Sequence, residues 1–531
     1  MPATEPGGTA ATHARSRALD LLVLGSGVAG LSAAVRAAAA EPGLRVGVLT
    51  KGMLAQATTR WAQGGVAAVL GGDPDSTDLH LADTLAAGAG LCDADAVRVL
   101  VDEGPARVHE LIALGAVFDK DATGGLALAR EGGHSVPRVV HAGGAATGAE
   151  IERALVDAVH STAAAVMEGW FALDLVVEGG RCLGVDALDP AGEHHRVAAA
   201  HTLLATGGAG QLYAVTTNPP EATGDGAAMA LRRAVPVADL EFVQFHPTAL
   251  HHPQTPRPLL SEALRGHGAL LRDSAGERFV DELKPRDVVS RAMAARMADQ
   301  GVEHLWLDAT GLEDFDRRFP TIAASMRAAG LDPTTEWLPV APAAHYCIGG
   351  VLVDLDGASA LPGLWAAGEA ACSGVHGANR LGSNSLLEGM VFAARVVEAI
   401  LGGKDRGEPT GALRAIDGPL LERRPLAGGS LPVGETADTA KVRDLVQGAM
   451  TMHAGVRRDA ASLAEAQRLL ARAESLLEGD DSRAEAEVRN LLTVGAALVE
   501  AAEHREESRG CHTRADFPEP SPAFQRRLVV W

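Results

Sequence analysis

Residues 19–40 have the sequence LDLLVLGSGVAGLSAAVRAAAA: a short apolar run, a glycine-rich turn and an alanine-rich segment. The apolar run Leu19–Leu24 predicts a buried strand, and the segment from Gly30 onwards predicts the helix that follows it. Gly25, Gly27 and Gly30 form the pattern G-x-G-x-x-G, which gives a tight turn, close approach of a pyrophosphate, and close packing of helix on strand. The free N–H groups at the start of that helix would face the phosphates. The segment therefore predicts a dinucleotide-binding unit.

The residues after this unit favour FAD over NAD. Arg45–Thr50 predicts a second strand, which completes a β-α-β order. A NAD site places an acidic residue at the end of that strand, but Thr50 and Lys51 stand there, so the ribose contact is left to a hydroxyl or an amine. Further glycine-rich pieces occur downstream, at Ala205–Gly208, Thr223–Gly226 and Gly368–Ala370. A nucleotide that contacts the chain at so many separated points is long, which fits FAD better than NAD.

Composition excludes several classes of protein. The 531 residues are 47% hydrophobic and 22% charged, which predicts a large folded core spread over several domain-sized units. A net charge of −21 argues against nucleic acid and anionic membrane surfaces as partners. The five scattered cysteines contain no C-x-x-C pair, so neither a metal site nor a disulfide framework is predicted. Cysteines used in this way predict a location in the reducing cytoplasm. Asp20 and Arg36 argue against a membrane span in residues 18–40.

The remaining elements follow from apolar periodicity and from proline. Helices are predicted at Asp95–Leu114 and Gly148–His160, and strands at Leu173–Val177, Val185–Leu188 and His201–Ala205. Pro247–Pro258 predicts a loop because four prolines interrupt it. Linkers are predicted within 401–440. Helical periodicity then recurs in three C-terminal segments, 439–452, 460–478 and 482–507.

Seven longer motifs occur in order along the chain. They are AQGGVAAV (62–69), QFHPT (244–248), SEALRGHG (261–268), KPRDVVSRA (284–292), AAHYCIGG (343–350), GEAACSGVHGANRLGSNSL (368–386) and SRGCHTRADFPE (508–519). With them the chain resembles the succinate dehydrogenase/fumarate reductase flavoprotein family over about residues 19–519. Within that family it is most similar to the members that oxidise L-aspartate.

The resemblance implies an α/β fold with a Rossmann-like FAD-binding domain, an inserted α+β capping domain and a C-terminal helical domain. The expected boundaries are a flexible arm at 1–18, the FAD-binding domain at 19–240 and 351–405, the capping domain at 241–350 and the helical domain at 430–531.

The resemblance also implies how FAD is held. Membrane-complex members bind FAD covalently through a histidine five residues before the glutamine of A-Q-G-G. That position is Thr58 here, so non-covalent FAD is expected. The expected cofactor-binding residues are Gly25, Ser26, Gly27, Ala29, Gly30, Thr50, Lys51, Thr58, Gln63, Gly64, Gly65, Ala205, Thr206, Gly207, Gly208, Asp225, Glu369, Asn384, Ser385 and Leu386.

The same resemblance implies a site for a four-carbon dicarboxylate. Arginine suits this task because its planar fork pairs bidentately with carboxylate. The expected catalytic residues are Arg286, His246 and His345. Arg286 matches the residue that moves protons in the fumarate-reducing members of the family. The expected substrate-binding residues are Ser261, Arg380, Glu262, Arg265 and Glu131.

Glu131, in REGGHS (130–135), distinguishes an amino acid from a plain dicarboxylate. L-Aspartate differs from succinate by one ammonium group, which a carboxylate beside a cationic pocket would attract. We therefore expect Glu131 to select the amino group, with His134 and Arg138 shaping its loop. The expected reaction is FAD-dependent oxidation of L-aspartate to iminoaspartate. Fumarate or O2 would accept the electrons, and quinolinate synthase would consume the product as the next step of NAD biosynthesis.

Three other functions are less consistent with the sequence. A soluble fumarate reductase or a succinate dehydrogenase flavoprotein subunit is disfavoured by Thr58 and by the REGGHS loop. A flavin-binding regulatory protein without catalysis predicts a gap in the pocket set, yet His246, Arg286, His345 and Arg380 are all present. A NAD-binding module is disfavoured by Thr50 and Lys51.

Overall fold

The structure, a computed structural model, describes residues 18–144, 146–422, 437–477, 479–480 and 482–531. Its strands in chain order are β1 (Leu19–Leu24), β2 (Val46–Thr50), β3 (Val66–Ala67), β4 (Leu128–Ala129), β5 (Val139–Val140), β6 (Ala165–Glu168), β7 (Phe171–Glu178), β8 (Arg181–Leu188), β9 (His194–Leu204), β10 (Val237–Ala238), β11 (Val243–Leu250), β12 (Leu270–Arg272), β13 (Leu305–Asp308), β14 (Leu338–Cys347), β15 (Gly350–Leu352), β16 (Leu364–Ala366), β17 (Ala371–Cys372), β18 (Leu420–Leu421) and β19 (Val529–Val530).

The helices alternate with these strands through most of the chain. They are α1 (Val28–Ala40), α2 (Thr77–Ala87), α3 (Ala94–Ala113), α4 (Thr147–His160), α5 (Asp225–Arg232), α6 (Glu262–Gly266), α7 (Arg286–Gln300), α8 (Phe315–Arg318), α9 (Pro320–Ala328), α10 (Asn384–Leu401), α11 (Thr439–His453), α12 (Ala460–Ser475) and α13 (Arg483–His504).

The largest sheet is built around β1, which pairs in parallel with β2 on one side and β9 on the other. Strand β6 extends the sheet beyond β2, and β16 pairs in parallel with β9, so the chain returns to this sheet after a long excursion. An antiparallel hairpin, β7–β8, pairs with the first half of β9. The predicted order strand, helix, strand over residues 19–50 is confirmed, as are the two helices and three strands predicted between 95 and 205.

Residues 243–347 form a second sheet with the strand order β11-β14-β13-β12. Helices α6–α9 cover it and share a separate apolar core, whose fully buried members include Leu264, Val289, Met293 and Leu307. Proline placement misled the prediction here: Pro247–Pro258 was expected to be a loop, but β11 continues to Leu250. The strand tolerates Pro247 because the pairing register shifts between His246 and Ala249. At this irregularity the sheet does not need the backbone N–H that proline lacks.

A small sheet with the order β3-β5-β4 carries the REGGHS loop. Its β4 and β5 form a hairpin whose connecting residues, 130–138, include Glu131 and His134. Strand β3 follows A-Q-G-G directly and pairs antiparallel with β5. The hairpin therefore sets the REGGHS loop beside the glycines at 64–65.

The C-terminal helices pack onto the largest sheet's flank. Val446, Leu463 and Leu491 belong to the same buried core as Met229 of α5. The three predicted helical segments are confirmed, although two end earlier than expected, at Ser475 and His504. The N-terminal arm, the 423–436 part of the predicted linkers and the predicted boundary at 430 lie outside the described residues, and the domain boundaries stay predictions.

Candidate active site

The turn after β1 has no room for side chains at two of its glycines. Gly25 has φ +107°, and a Cβ there would lie 2.2 Å from the carbonyl oxygen of Ala205. A Cβ on Gly30 would lie 2.1 Å from the Gly25 oxygen. The turn is thus pressed between the end of β9 and the start of α1. The first N–H of α1, on Val28, donates to Thr59 Oγ1 at 2.9 Å.

A continuous cavity of ≈ 520 Å³ starts at this turn and runs along the carboxyl ends of the parallel strands to the second sheet. Most of the predicted cofactor residues line it: Gly25, Ser26, Gly27, Ala29, Thr50, Lys51, Thr58, Gln63, Gly64, Gly65, Ala205, Thr206, Gly207, Asp225, Glu369, Ser385 and Leu386.

Three predicted cofactor residues do not line this cavity. Gly30 packs beneath the turn. Gly208 lies behind Glu369, because a Cβ on Gly208 would be 2.4 Å from Glu369 Oε1. Asn384 directs its side chain away: it accepts from His80 Nε2 at 2.8 Å and donates to Thr84 Oγ1 at 3.1 Å. These bonds hold α10 against α2 and engage the Asn384 side chain with protein groups.

Lys51 is engaged by protein groups. Its Nζ lies 2.8 Å from Asp225, 3.2 Å from Glu487 and 2.6 Å from Thr223 Oγ1, which accounts for its three N–H donors. Although burial opposes it, the charge of Lys51 lowers the pKa of the Asp225 carboxyl. The Ser26 and Thr50 hydroxyls, 3.1 Å apart, therefore remain as candidates for the ribose contact.

The residues of this part of the cavity fit FAD. The glycine turn, the N-terminus of α1 and the second turn at Ala205–Gly207 leave space where a diphosphate can approach backbone N–H groups. Gln63 lines this part of the cavity, and its buried Oε1 has no partner among the described residues. Burial raises the pKa of Glu369 to about 7, and its Oε1 accepts from the Cys347 N–H at 2.9 Å.

At its other end the cavity meets seven charged and imidazole side chains, which we call the polar cluster. The second sheet with its helices, the REGGHS loop and the segment before α10 contribute: the cluster consists of Glu131, His246, Glu262, Arg265, Arg286, His345 and Arg380. All of them line the cavity except Arg265, which lies behind Glu262. Ser261 also lines it and caps α6, where its hydroxyl accepts from the Ala263 N–H at 3.3 Å.

The arginines of the cluster keep unused donors. Arg286 Nε donates to Glu262 at 2.8 Å, but its buried Nη1 has no partner among the described residues. Arg380 uses Nη1 on Ser385 and Nη2 on Gln244 and leaves Nε unpaired. Burial, followed by the charge of Arg286, lowers the pKa of Arg380 to about 10. Buried donors without partners are unfavourable, so an anion entering here gains from them.

The two histidines of the cluster are uncharged. Burial and the neighbouring arginines hold the pKa values of His246 and His345 well below the ordinary range. Their rings meet edge to face with centroids 5.3 Å apart. His246 Nδ1 accepts from the Thr248 N–H at 3.3 Å, which leaves the proton on Nε2. His345 Nδ1 lies 2.8 Å from Thr217 Oγ1.

The two carboxylates of the cluster are ionised. Burial alone would raise the pKa of Glu131, but the hydrogen bond and charge of His141, the Ser383 hydroxyl and Arg286 lower it to about 2. Burial likewise opposes ionisation of Glu262, and the charges of Arg286 and Arg265 outweigh it and lower its pKa. A Cβ on Gly382 would lie 3.1 Å from Glu131 Oε2 and 3.7 Å from Arg286 Nη2. A carboxylate and a guanidinium therefore face the same small volume.

Several lining residues were not predicted from the sequence. Thr59 and Ser383 act through single hydroxyls on segments far apart in the chain, and Thr217 is the same kind of case beside His345. Tyr346 supports Arg380 by its ring face. Arg257 lines the cavity from the segment between β11 and α6, and its Nε has no partner among the described residues. Tyr346 and Ser383 could have been found, because they belong to the motifs AAHYCIGG and GEAACSGVHGANRLGSNSL.

The chain is similar to known flavoproteins over most of its length. Residues 20–386 match a family model described as FAD binding domain, and residues 443–528 match one described as fumarate reductase flavoprotein C-term. The chain is 49% identical to L-aspartate oxidase of Streptomyces coelicolor, covering 97% of this chain and 91% of that protein. It is 44% identical to L-aspartate oxidase of Mycobacterium bovis, with 97% and 95% covered.

Solved structures give a similar result. A chain of E. coli quinol fumarate reductase FrdA superposes with a TM-score of 0.84 at 29% identity, over 96% of this chain and 94% of that one. Mycobacterium smegmatis Sdh1 superposes with a TM-score of 0.81 at 32% identity, over 96% and 91%. Within the described residues, no helix combines the length and apolarity that crossing a membrane requires.

Proposed function

The chain belongs to the succinate dehydrogenase/fumarate reductase flavoprotein family, and on this premise we propose that it catalyses the FAD-dependent oxidation of L-aspartate to iminoaspartate. Relatives named L-aspartate oxidase span nearly the whole chain at 41–49% identity. The reaction belongs to NAD biosynthesis. The observation that carries the proposal within this structure is the position of Glu131, an ionised carboxylate set among arginines.

The charge of the polar cluster supports an amino dicarboxylate as its ligand. Three guanidinium groups and two ionised carboxylates leave one net positive charge, since both histidines are neutral. L-Aspartate carries two carboxylates and one ammonium, and therefore one net negative charge. Arg286 and Arg380 offer donors to the carboxylates, and Glu131 offers an acceptor to the ammonium.

We assign the other roles from the same contacts. His246, with its proton on Nε2, donates a hydrogen bond into the cavity without adding charge. Glu262 holds Arg286 by its Nε and leaves Nη1 for substrate and for proton transfer when fumarate is reduced. Arg265, buried behind Glu262, keeps that carboxylate ionised. When bound, FAD would supply the redox chemistry: once the substrate ammonium has lost a proton, the flavin would take up the hydride from Cα, and its electrons would pass to fumarate or O2.

The family context extends the proposal to partners. Fumarate shares the two carboxylates that the arginines bind, which favours it as an acceptor. Iminoaspartate hydrolyses in water, so an enzyme such as quinolinate synthase would need to take it up promptly. The five free cysteines support a reducing compartment such as the cytoplasm.

Anaerobic mixing of the holoenzyme with L-aspartate tests the proposal. Flavin absorbance should bleach, and it should not bleach with succinate at the same concentration. An oxidised spectrum that persists with saturating L-aspartate contradicts the proposed function. Acid precipitation is a second readout: Thr58 offers no histidine for a covalent link, so the yellow colour should stay in the supernatant.

Glu131→Gln tests the assignment of the amino-group receptor. The amide keeps the size but loses the charge, so the apparent Kd for L-aspartate should rise at least about tenfold, or about 1.4 kcal/mol. The Kd for fumarate, which has no ammonium, should not rise. Glu465→Gln, on the exposed α12 pair with Arg468, is the matched control. Equal losses for both ligands would show that Glu131 does not select the amino group.

A further inference from the structure

Helix α13 reaches the cofactor cavity at the place where the second strand of the dinucleotide-binding unit ends. In such units the residue at the end of that strand contacts the ribose of the adenosine half. Lys51 occupies this position and lines the cavity, together with Asp225 at the start of α5. Both side chains are largely buried, and each of them binds a residue of α13.

Three residues of α13 contact this pair. Arg483 Nη1 donates to the Lys51 carbonyl oxygen at 2.7 Å, and Glu487 Oε1 lies 3.2 Å from Lys51 Nζ. Asn490 Nδ2 donates to Asp225 Oδ1 at 2.8 Å. Positions 483, 487 and 490 follow one another at helical spacing, so they share one face of α13. That face carries polar side chains, although the helix is otherwise packed in the apolar core.

The bonds of Asn490 help to fix the Asp225 carboxylate. Asn490 is 1% exposed, and its carbonyl oxygen accepts from Arg232 Nη1 at 2.7 Å, so both ends of its amide are bonded. Asp225 also accepts from Thr223 Oγ1 at 2.6 Å and pairs with Lys51. A buried carboxylate that loses one of its donors is destabilised, and its position in the cavity wall is then less well defined.

Phe171 is the third residue of the cavity wall that α13 contacts. Lys51 Nζ lies 5.5 Å from the centroid of its ring, and Arg483 Cζ lies 5.8 Å from the same centroid. Two cation–π contacts to one ring stabilise its position and link it to the helix. The wall at this end of the cavity therefore depends on α13, although none of the residues of that helix lines the cavity.

We propose that the face of α13 formed by Arg483, Glu487 and Asn490 positions the nucleotide end of the FAD site. The three are positioning residues, which hold Lys51 and Asp225 in the arrangement that the adenosine half of FAD requires. The C-terminal helices are thereby part of the cofactor site as well as a packing partner of the largest sheet. The inference depends on FAD as the cofactor and not on which substrate the enzyme oxidises.

Serial dilution of the holoenzyme, followed by the fluorescence of released FAD, measures this effect as the Kd of FAD. Arg483→Gln removes the bond to the Lys51 carbonyl from a half-exposed position, where the substitution should not prevent folding. The Kd of FAD should rise at least about fivefold, because a hydrogen bond from a charged donor is lost. Arg483→Lys keeps the charge and an N–H donor, so its Kd should stay within about threefold of the wild type.

Arg468→Gln is the control for charge. It removes one positive charge from an exposed pair with Glu465 on the neighbouring helix α12. The Kd of FAD should stay within about twofold of the wild type, because an exposed pair away from the cavity contributes little. A rise equal to that of Arg483→Gln would assign the effect to net charge and overturn the inference.

Asn490→Leu tests the second contact without a change of charge. Leucine has a similar size but no amide, so Asp225 loses a donor and the Kd of FAD should again rise at least about fivefold. At saturating FAD the absorbance spectrum of the bound flavin should match that of the wild type, since the polar cluster lies at the other end of the cavity. Thr493→Val is the matched control, because the Thr493 hydroxyl donates to the Arg489 carbonyl on the same helix.

Hydrogen exchange of the full-length chain with and without FAD gives a second measurement. FAD should slow amide exchange in α13 more than in α12, and this difference should shrink in Asn490→Leu. Protection of α13 that is no greater than that of α12 overturns the inference. So do Kd values for FAD within about twofold of the wild type in both Arg483→Gln and Asn490→Leu. The proposed function fails separately, if L-aspartate does not bleach the wild-type holoenzyme.

Discussion

Arg380 shows how a single residue of the cavity is kept ready for a carboxylate. It is buried and has no ion-pair partner among the described residues. Its Cζ lies 4.5 Å from the ring centroid of Tyr346, which supports the guanidinium by a cation–π contact. The Tyr346 hydroxyl donates to Glu388 at 3.2 Å, and Glu388 also binds His376 and Ser373. The ring therefore cannot turn freely beneath the arginine.

Tyr346→Leu tests whether this ring positions Arg380. A buried cation–π contact stabilises by about 2 kcal/mol, so the KM for L-aspartate should rise about tenfold or more while kcat changes less. Tyr346→Phe keeps the ring and should stay within about threefold of the wild type. Steady-state kinetics of both variants checks this, with Tyr213→Phe, at the other tyrosine of the chain, as control. Equal KM values for the leucine and phenylalanine variants would exclude the ring as the cause.

Helix α4 is the element that holds the segment carrying Thr58 and Thr59 against the cofactor turn. A Cβ on Gly148 would lie 1.8 Å from the Thr59 carbonyl oxygen, so the helix and the segment touch without intervening side chains. One turn later, Glu152 accepts from the Ala57 N–H at 2.8 Å, and its Oε2 has no partner among the described residues. Burial raises the pKa of Glu152 from 4.5 to about 7.

Glu152→Gln should make the protein more stable at alkaline pH. The folded-state pKa of Glu152 is raised, so the protonated form is favoured in the folded state and stability falls as pH rises from 4.5 to about 7. Glutamine keeps the hydrogen-bonding shape without this loss. We expect a Tm advantage of a few degrees near pH 8 that shrinks towards pH 6, measured by circular dichroism with excess FAD. A difference independent of pH would contradict the raised pKa.

Sequence patterns predicted the helices and strands better than they predicted side-chain contacts. The periodicity of residues 19–50 was sufficient because a glycine turn between a buried strand and a helix has few alternative structures. Pro247 was misassigned because a strand bulge, which removes the need for its N–H, leaves no local trace. The bonds of the Asn384 side chain to His80 and Thr84 were not predicted, because motif membership does not tell which way a side chain points. Thr59 and Ser383 were missed because their partners lie on distant segments, brought close only by the fold.

The whole molecule is held together near the junction between its two main sheets by the C-terminal segment. Arg505, at the end of α13, donates to Glu241 at 2.6 Å, just before β11 begins, and both side chains are fully buried. Arg458 adds a bond from Nη1 to the Glu241 carbonyl at 2.7 Å. Further along, Arg291 of α7 donates to the Gly510 carbonyl at 2.7 Å. The C-terminal segment thus contacts the residues just before β11 and also helix α7, which covers the second sheet.

Replacing Arg505 by methionine should destabilise the whole chain. It leaves Glu241 as a buried carboxylate without its cation, and breaking a buried pair from one side costs about 3–5 kcal/mol. Urea unfolding of the holoenzyme, followed by circular dichroism and by flavin fluorescence, should show a lower midpoint by both signals together. Adding Glu241→Gln to Arg505→Met removes the unpaired charge and should restore part of the loss. Glu241→Gln alone should cost less, because Arg505 keeps Glu507 at 3.1 Å. Two outcomes would contradict this role of the pair in joining the C-terminal segment to the fold as one cooperative unit. One is a double variant that is no more stable than Arg505→Met. The other is flavin release at a urea concentration where circular dichroism is unchanged.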